Sequence, residues 1–397
     1  MESRPPVTDW AIDFDHFDPQ WTENPYPIWD HLRQTCPVAT SQRFEDGAYF
    51  PARYEDVHAI AYDSEHFSSR RVIVRETKVP LLQAAPITSD PPEHTPARKL
   101  LLPAFAPKEI AKLEGRTRAV CRSLLDTIGD ASECDGAVQY AQHIPVRVIA
   151  HMLGVPEDDG DLFREWIHLV LVEGVRNPAA TMRAAEEQNA YFGKQVALRR
   201  ANPGDDLVSF LLAAQFDGKP LSMPHIIGTL RLILIAGIDT TWSGIGASLW
   251  HLAAHPQDRA RLVADPGLMP TAIEEFLRAY APVTMAREVV KETTVGGCPF
   301  KPGGQVVLSF PAANRDPAKF ADADKVLIDR AVNPHAAFGL GRHRCLGSNL
   351  ARMEMTIAIE EWLARFPDFM LTAGEKTTWS EGTVRGPRLL PITINRA

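Results

Sequence analysis

One stretch constrains this chain more than any other: residues 224–256 carry only Arg231 and Asp239 as charges. A helix of about thirty residues is roughly 45 Å long. A helix so apolar must be buried nearly all round, and the rest of the fold has to be built about it. At 397 residues the chain can bury roughly three quarters of its unfolded surface, without disulfide or metal staples. The middle of the stretch is out of character. Ala236-Gly237-Ile238-Asp239-Thr240-Thr241 brings a glycine that costs about 1 kcal/mol of helix stability and two poor interior helix formers. It also brings a carboxylate with a desolvation cost. Either the helix kinks there, with threonine hydroxyls bonded back to carbonyls, or a groove opens and a ligand lies across the glycine.

Apolar periodicity predicts further helices over 103–128, 146–153, 162–174, 179–201, 206–215, 257–263 and 271–280. A last one covers 346–365 and is stopped by Pro367. Segments 47–54, 305–310 and 391–395 read as strands, and a Pro/Asp/Asn-rich meander fills 311–334. The expectation is a mainly α chain with a minor β part, 1–397 as a single domain. The β-rich portions lie near 45–60, 283–310 and 383–396, and the helical portions over about 96–281 and 346–366. No internal repeat or low-complexity linker divides it.

A net charge of −8 disfavours a nucleic-acid binder, whose footprint is basic. The first twenty residues are polar and acidic, unlike a signal peptide. No window of 18 uncharged apolar residues occurs, so neither a transmembrane helix nor a membrane partner is expected. Cys36, Cys121, Cys134, Cys298 and Cys345 are scattered, odd in number and never paired as CxxC. That pattern predicts reduced thiols in a cytoplasm and leaves room for one functional thiolate.

The chemistry concentrates in Phe338-Gly339-Leu340-Gly341-Arg342-His343-Arg344-Cys345-Leu346-Gly347. Two glycines before the cysteine permit left-handed turns and close approach of backbone to a flat ligand. Cys345 precedes the last helix, whose N–H groups and dipole favour a thiolate. A thiolate in a rigid loop ringed by donors is what an axial iron ligand needs. Two other readings stay open: a small buried hydrophobe, or a zinc site with His335 and His343, which lacks a further cysteine pair. A Walker phosphate loop is excluded, since no GK[ST] follows.

This segment resembles the haem-binding signature FGxGxHxC of the cytochromes P-450. Ala236-Gly237-Ile238-Asp239-Thr240 resembles that family's oxygen-activating groove. Glu275-Phe276-Leu277-Arg278 resembles its ExxR. Asp90-Pro91-Pro92-Glu93-His94-Thr95-Pro96-Ala97-Arg98 resembles the DPPxHxxxR segment of soluble bacterial members. The motifs stand in the family's order and reach over nearly the whole chain. The resemblance implies the family's fold, a triangular prism of helices with small sheets. It implies haem b (iron protoporphyrin IX) on Cys345, cradled by Ala236, Gly237, Phe338, Gly339 and Gly347. His94, Arg98, Arg287 and His343 take its propionates, and two buried carboxylates do need several cationic or N–H donors. Glu275 and Arg278, three apart on one helix face, pair with Arg330 from the meander.

By the same resemblance, the activity is monooxygenation by O2, with Thr240 as the hydroxyl beside the oxygen and Asp239 as the gate of the proton relay. Ile233, Ala236, Val283, Thr284 and Val384 line a pocket for an apolar small molecule, together with segments 79–87 and 169–175. Arg75 and Lys78 are read as solvated loop charges sooner than as partners of a substrate carboxylate. No nucleotide fingerprint or ferredoxin-type cysteine cluster is present. Electrons are therefore expected from a ferredoxin and its NAD(P)H-dependent reductase, the enzyme itself being a monomer. The window 330–353 holds Arg330, Arg342, Arg344 and Arg352 and no acid. The last three suit docking of an acidic iron–sulfur protein. A peroxide-driven peroxygenase and a haem-binding sensor are the alternatives.

Overall fold

A computed structural model describes residues 5–78, 84–216 and 218–395. The apolar stretch is one unbroken helix, Met223–Ala254, of 32 residues. Ser222 caps its start by accepting from the His225 N–H, and Pro224 sits in its first turn, where no N–H partner is lost. By length and hydropathy it would cross a bilayer, but 67% of its most apolar window is buried inside the protein. Helix His143–Leu153 packs on one flank and helix Ser348–Arg365 on another. Ser348–Arg365 in turn lies along Glu114–Ile128. Two apolar cores form around these contacts. Leu249, Phe276 and Trp362 belong to one, and Ile149, Phe163 and Leu234 to the other.

The helix expected over 103–128 is three pieces: Leu102–Phe105, Pro107–Ala111 and Glu114–Ile128. Proline explains the first break. Ala106 is extended (φ −62°, ψ 146°) before Pro107, because the ring of a proline disfavours α geometry in the preceding residue. The stretch over 162–174 is the helix Gly160–Leu171 followed by a tight turn, Glu173–Val175. Helices Pro178–Ala201 and Met269–Ala279 lie close to expectation.

The β part is a five-stranded sheet in the order Val38–Ser41, Ala48–Pro51, Gln305–Ser309, Thr284–Val289, Phe67–Ser68. Near 45–60 the strand is Ala48–Pro51, shorter than the 47–54 expected, and the run 55–63, which also reads as helical in the sequence, is the helix Tyr54–Tyr62. Strands Glu133–Asp135 and Phe369–Leu371, too short to carry a pattern, flank Pro391–Ile394 in a second sheet. Two pairings place side chains at the site. Val306 faces Arg287 across the antiparallel ladder, and an isolated bridge joins Val283 to Val384.

The meander is held by one fully buried carboxylate. Glu275 accepts from Arg278 Nε and Nη2 (both 2.8 Å), from the Leu327 N–H (2.8 Å), and from Arg330 Nε (2.9 Å) and Asn333 Nδ2 (3.0 Å). Arg278 spends its remaining donors on the carbonyls of Asn314, Ala323 and Lys325. The pairing of Glu275, Arg278 and Arg330 is thus as expected, but it is a buried cage and not a surface ion pair. Burial pushes the Glu275 carboxyl up, yet the bonds from Arg278, Leu327 and Arg330 outweigh it and hold it below its ordinary value. A depressed carboxylate contributes stability above its unfolded value, ~4.3, and that contribution is lost as pH falls through the lower folded value. Removing one partner of a buried pair typically costs about 3–5 kcal/mol. Arg278→Ala should therefore lower the urea midpoint strongly at pH 7, and the gap to wild type should narrow below about pH 4, where the carboxyl takes up a proton. An unchanged midpoint at pH 7 would remove the cage from this role.

Candidate active site

The cysteine loop owes its shape to two glycines. Gly339 (φ +70°) and Gly341 (φ +67°) are left-handed, and a Cβ on Gly341 would lie 2.5 Å from the Ala61 carbonyl. The Cys345 N–H donates to Phe338 O (2.7 Å) and closes the turn. Helix Ser348–Arg365 starts with Gly347 as its N-cap, two residues later than expected. Cys345 differs from the other cysteines. Cys121 and Cys134 are buried, with burial pushing each thiol up to about 12. Cys345 is exposed, and the surface it exposes lines a cavity of about 240 Å³. Burial raises its thiol, while the Gly347 N–H and Arg98, Arg344 and Arg352 pull the other way.

The long helix forms the opposite wall with Ile233, Ala236, Gly237 and Thr240. The helix does not open. Thr240 Oγ1 donates to Ala236 O (2.7 Å), so the back-bonded reading holds. Gly237 is needed by packing as well, because a Cβ there would lie 2.5 Å from Ile149 Cδ1. Its neighbour Ala236 exposes its surface in mid-helix, and that surface is cavity wall. Asp239 lines neither this cavity nor its neighbour. It is 1% exposed, with Oδ1 2.7 Å from an Arg388 guanidinium nitrogen. Burial raises its pKa and Arg388 opposes the rise. Arg388 also stacks on Trp242 and bonds Ser243 Oγ. Sequence reasoning missed Arg388, which no local signal connects to Asp239.

Four basic side chains converge at one edge. His94 and Arg98, one turn apart on helix His94–Leu101, meet His343 from the loop and Arg287 from strand Thr284–Val289. The His94 and His343 rings meet edge-on with centroids 4.3 Å apart. Both ring nitrogens of His94 and Nε2 of His343 are buried without a hydrogen-bond partner. Burial, then the neighbouring cations, hold His343 down at about 2, and burial holds Arg287 down at about 10. Buried donors and cations without acids are an arrangement that a ligand bearing carboxylates completes. The apolar walls, the thiol and this basic edge together fit haem b.

A second cavity of about 230 Å³, with a wider opening, adjoins the first and shares Ile87, Leu232, Ala236, Thr240, Val283, Met285 and Arg287 with it. Val384 lines it beside its bridge partner Val283. Thr284 does not line either cavity. The strand alternates, so Val283 and Met285 face the space while the Thr284 N–H bonds Thr383 O. Of the expected loop 79–87, residues 79–83 lie outside the described residues, and Ala84 and Ile87 are wall residues. Arg75 and Lys78, read as solvated, also line this cavity.

Arg352 needs a second correction. Its fork is taken by Glu274, through Nε (2.5 Å) and Nη2 (2.8 Å), and its guanidinium stacks on Phe338. The acid comes from another helix, so the window 330–353 is acid-free in sequence but not in space. His335 is engaged as well, through Glu274 Oε2 (3.1 Å) and the Ala337 N–H (3.2 Å), which leaves it no nitrogen for zinc. Arg342 and Arg344 stay exposed.

Residues 173–382 match the family model described as Cytochrome P450. The chain is 34% identical to mycinamicin IV hydroxylase/epoxidase of Micromonospora griseorubida over 374 residues, covering 92% of this chain and 94% of that protein. The solved structure of the polyketide biosynthesis cytochrome P450 PksS of Bacillus subtilis is 30% identical, with a TM-score of 0.88 over 96% of this chain and 100% of that one. That of CYP109E1 from Bacillus megaterium with testosterone is 31% identical, with a TM-score of 0.87 over 94% and 98%. With its thiol, basic edge and helical walls in the same fold, the chain belongs to the cytochrome P450 family of haem b monooxygenases.

Proposed function

We propose that this enzyme hydroxylates or O-dealkylates an apolar small molecule held in the second cavity, with Cys345 as the residue that would hold the haem iron. One observation carries the reading. A cavity-lining thiol shares its cavity with Thr240, with four basic groups beside it, two of which, His94 and His343, bury ring nitrogens that lack partners. The haem, when bound, supplies the activation of O2 and the insertion of one oxygen atom. The chain supplies position and protons. Thr240, its own proton committed to Ala236 O, turns acceptor lone pairs to the cavity and orients the water nearest the reacting atom. Asp239, shut off from the cavity and held by Arg388, takes protons from the far side and passes them on. Glu275, Arg278 and Arg330 keep the cysteine loop in register and touch no reactant.

Electrons are read as coming from NAD(P)H through a reductase and a ferredoxin that docks over Arg342 and Arg344. The protein is read as a cytoplasmic monomer, in keeping with five free cysteines. Neither arginine is ion-paired to an acid among the described residues. Arg344→Glu should slow reduction of the haem while leaving substrate affinity within about twofold. Added salt should slow wild-type reduction too, since exposed charges are screened within ~8–10 Å at physiological ionic strength. Rates indifferent to both would move the docking face elsewhere.

Three substitutions test the site itself. Cys345→Ser should abolish the red-shifted Soret band of the ferrous–CO form, while Cys121→Ser and Cys298→Ser keep it; survival of the band in Cys345→Ser refutes the ligand assignment. Thr240→Ala should retain substrate binding but divert NAD(P)H electrons to hydrogen peroxide. Asp239→Asn should slow turnover by roughly 10²–10⁴-fold, the usual weight of a general acid–base group. Full coupling in the first together with full activity in the second would reject the relay. Turnover driven better by hydrogen peroxide than by a ferredoxin system would replace monooxygenase by peroxygenase.

A further inference from the structure

The second cavity has two ends of unlike chemistry. Where it meets the cysteine cavity its wall is mostly apolar, with Ile87, Leu232, Ala236, Val283 and Met285 beside Thr240 and Arg287, the last of which belongs to the basic edge by the thiol. At the other end polar groups converge. Arg75 reaches in with Nη1 on the carbonyl of Gly174 and, at 3.0 Å, on Thr181 Oγ1. Its Nε and Nη2 make no hydrogen bond, and no carboxylate pairs with it, among the described residues. Two turns along the same helix from Thr181, Gln188 lines the cavity and is 2% exposed. Its Nε2 is buried and has no partner. Arg231 of the long helix lines the same end, with Nη1 on Asn189 Oδ1 (3.2 Å).

The acids near this end are engaged elsewhere. Glu288 lies 3.5 Å from Arg71, Glu45 accepts from the Lys78 N–H (2.6 Å), and Glu76 is bonded by Arg176 (2.8 Å). Burial, and then the like charge of Arg71, hold the Arg75 guanidinium down to about 10. A half-buried cation beside another cation, in a cavity that also holds an orphaned amide donor, is costly unless something else brings the negative charge. A solvated loop charge would not bond a carbonyl and a threonine hydroxyl on neighbouring elements.

We infer that the substrate ends in a carboxylate that docks on Arg75 and Gln188 Nε2, its apolar body running along the cavity to Thr240. The inference rests on the second cavity being the substrate site, and adds to that reading a fixed polar end. It predicts the orientation of the reaction: the carbon attacked lies at the end remote from the acid.

The probes are saturated fatty acids from octanoate to hexadecanoate, each paired with the alcohol of equal length. Binding to the haem-loaded enzyme is followed by calorimetry at neutral pH. The best acid should bind about ten- to a hundredfold tighter than its alcohol, the weight of a hydrogen-bonded charge in a partly dry site. Arg75→Gln should erase most of that preference and leave alcohol binding within about twofold. Gln188→Leu, which leaves the carbonyl and hydroxyl contacts of Arg75 intact, should reduce it more modestly, and serves if Arg75→Gln does not fold. No acid binding tighter than its alcohol, or a preference that survives both substitutions, overturns the inference. The ferrous–CO spectrum of the same preparation separates the two levels. A thiolate-type band with no acid preference sinks the carboxylate end alone, whereas a missing band sinks the haem-thiolate reading and leaves the binding comparison standing.

Discussion

Everything near the cysteine hangs from the carboxylate of Glu275. Five N–H donors from Arg278, Leu327, Arg330 and Asn333 converge on it at 2.8–3.0 Å. Through Arg278 and Arg330 the same cluster reaches carbonyls spread along the meander, from Asn314 to Lys325. Such a segment has few apolar residues with which to hold itself, so polar bonds must fix its path. A buried ion pair adds little net stability over an apolar replacement. What it supplies is a single geometry, since no other arrangement satisfies so many donors at once. The meander therefore delivers Phe338 to a fixed place, and the turn closed by Cys345 N–H on Phe338 O inherits it.

The long helix is the second fixed wall, and its irregular middle now divides into separate causes. Gly237 is there because Ile149 presses against it. Thr240 keeps the helix intact by bonding back to Ala236 while facing the cavity. Asp239 turns to the other side and is charge-balanced by Arg388, on a strand near the far end of the chain. Two successive residues thus face different sides of the helix, Thr240 toward the cavity and Asp239 onto Arg388.

What could be read from the sequence follows how local each cause is. The cysteine decapeptide is contiguous, its glycines explain its turns, and its site was legible without coordinates. So was the spacing of Glu275 and Arg278 on one helix face. The ion pair Asp239–Arg388 and the clamp of Glu274 on Arg352 join segments distant in sequence, and no periodicity announces such partners. The break at Pro107 was hidden because apolar spacing continues through it, although the proline that causes it was in plain view. Val283 and Thr284 are neighbours in sequence, but strand alternation turns Thr284 away from the space that Val283 and Met285 line. The two-residue and three-residue strands carry too few side chains for any pattern.

The ionic groups of this protein sort by whether the fold itself completes them. Glu275 and Glu274 are satisfied by their own chain, and their work is structural. His94, His343 and Gln188 bury donor-capable nitrogens with no partner, while Arg287 and Arg75 are held down mainly by burial. In a chain of net charge −8 there is no shortage of acids, yet among the described residues none is ion-paired to Arg287 or Arg75. Leaving such groups incomplete destabilises the empty protein, and only a ligand that binds the folded state restores the balance. The first set lies beside the thiol and calls for the carboxylates of the haem. The second, Arg75 and Gln188, lines the adjoining cavity, where the proposed substrate carboxylate would complete it. The same electrostatic argument that fits haem to one cavity thus gives the other a polar end, and Thr240 stands where the two spaces meet.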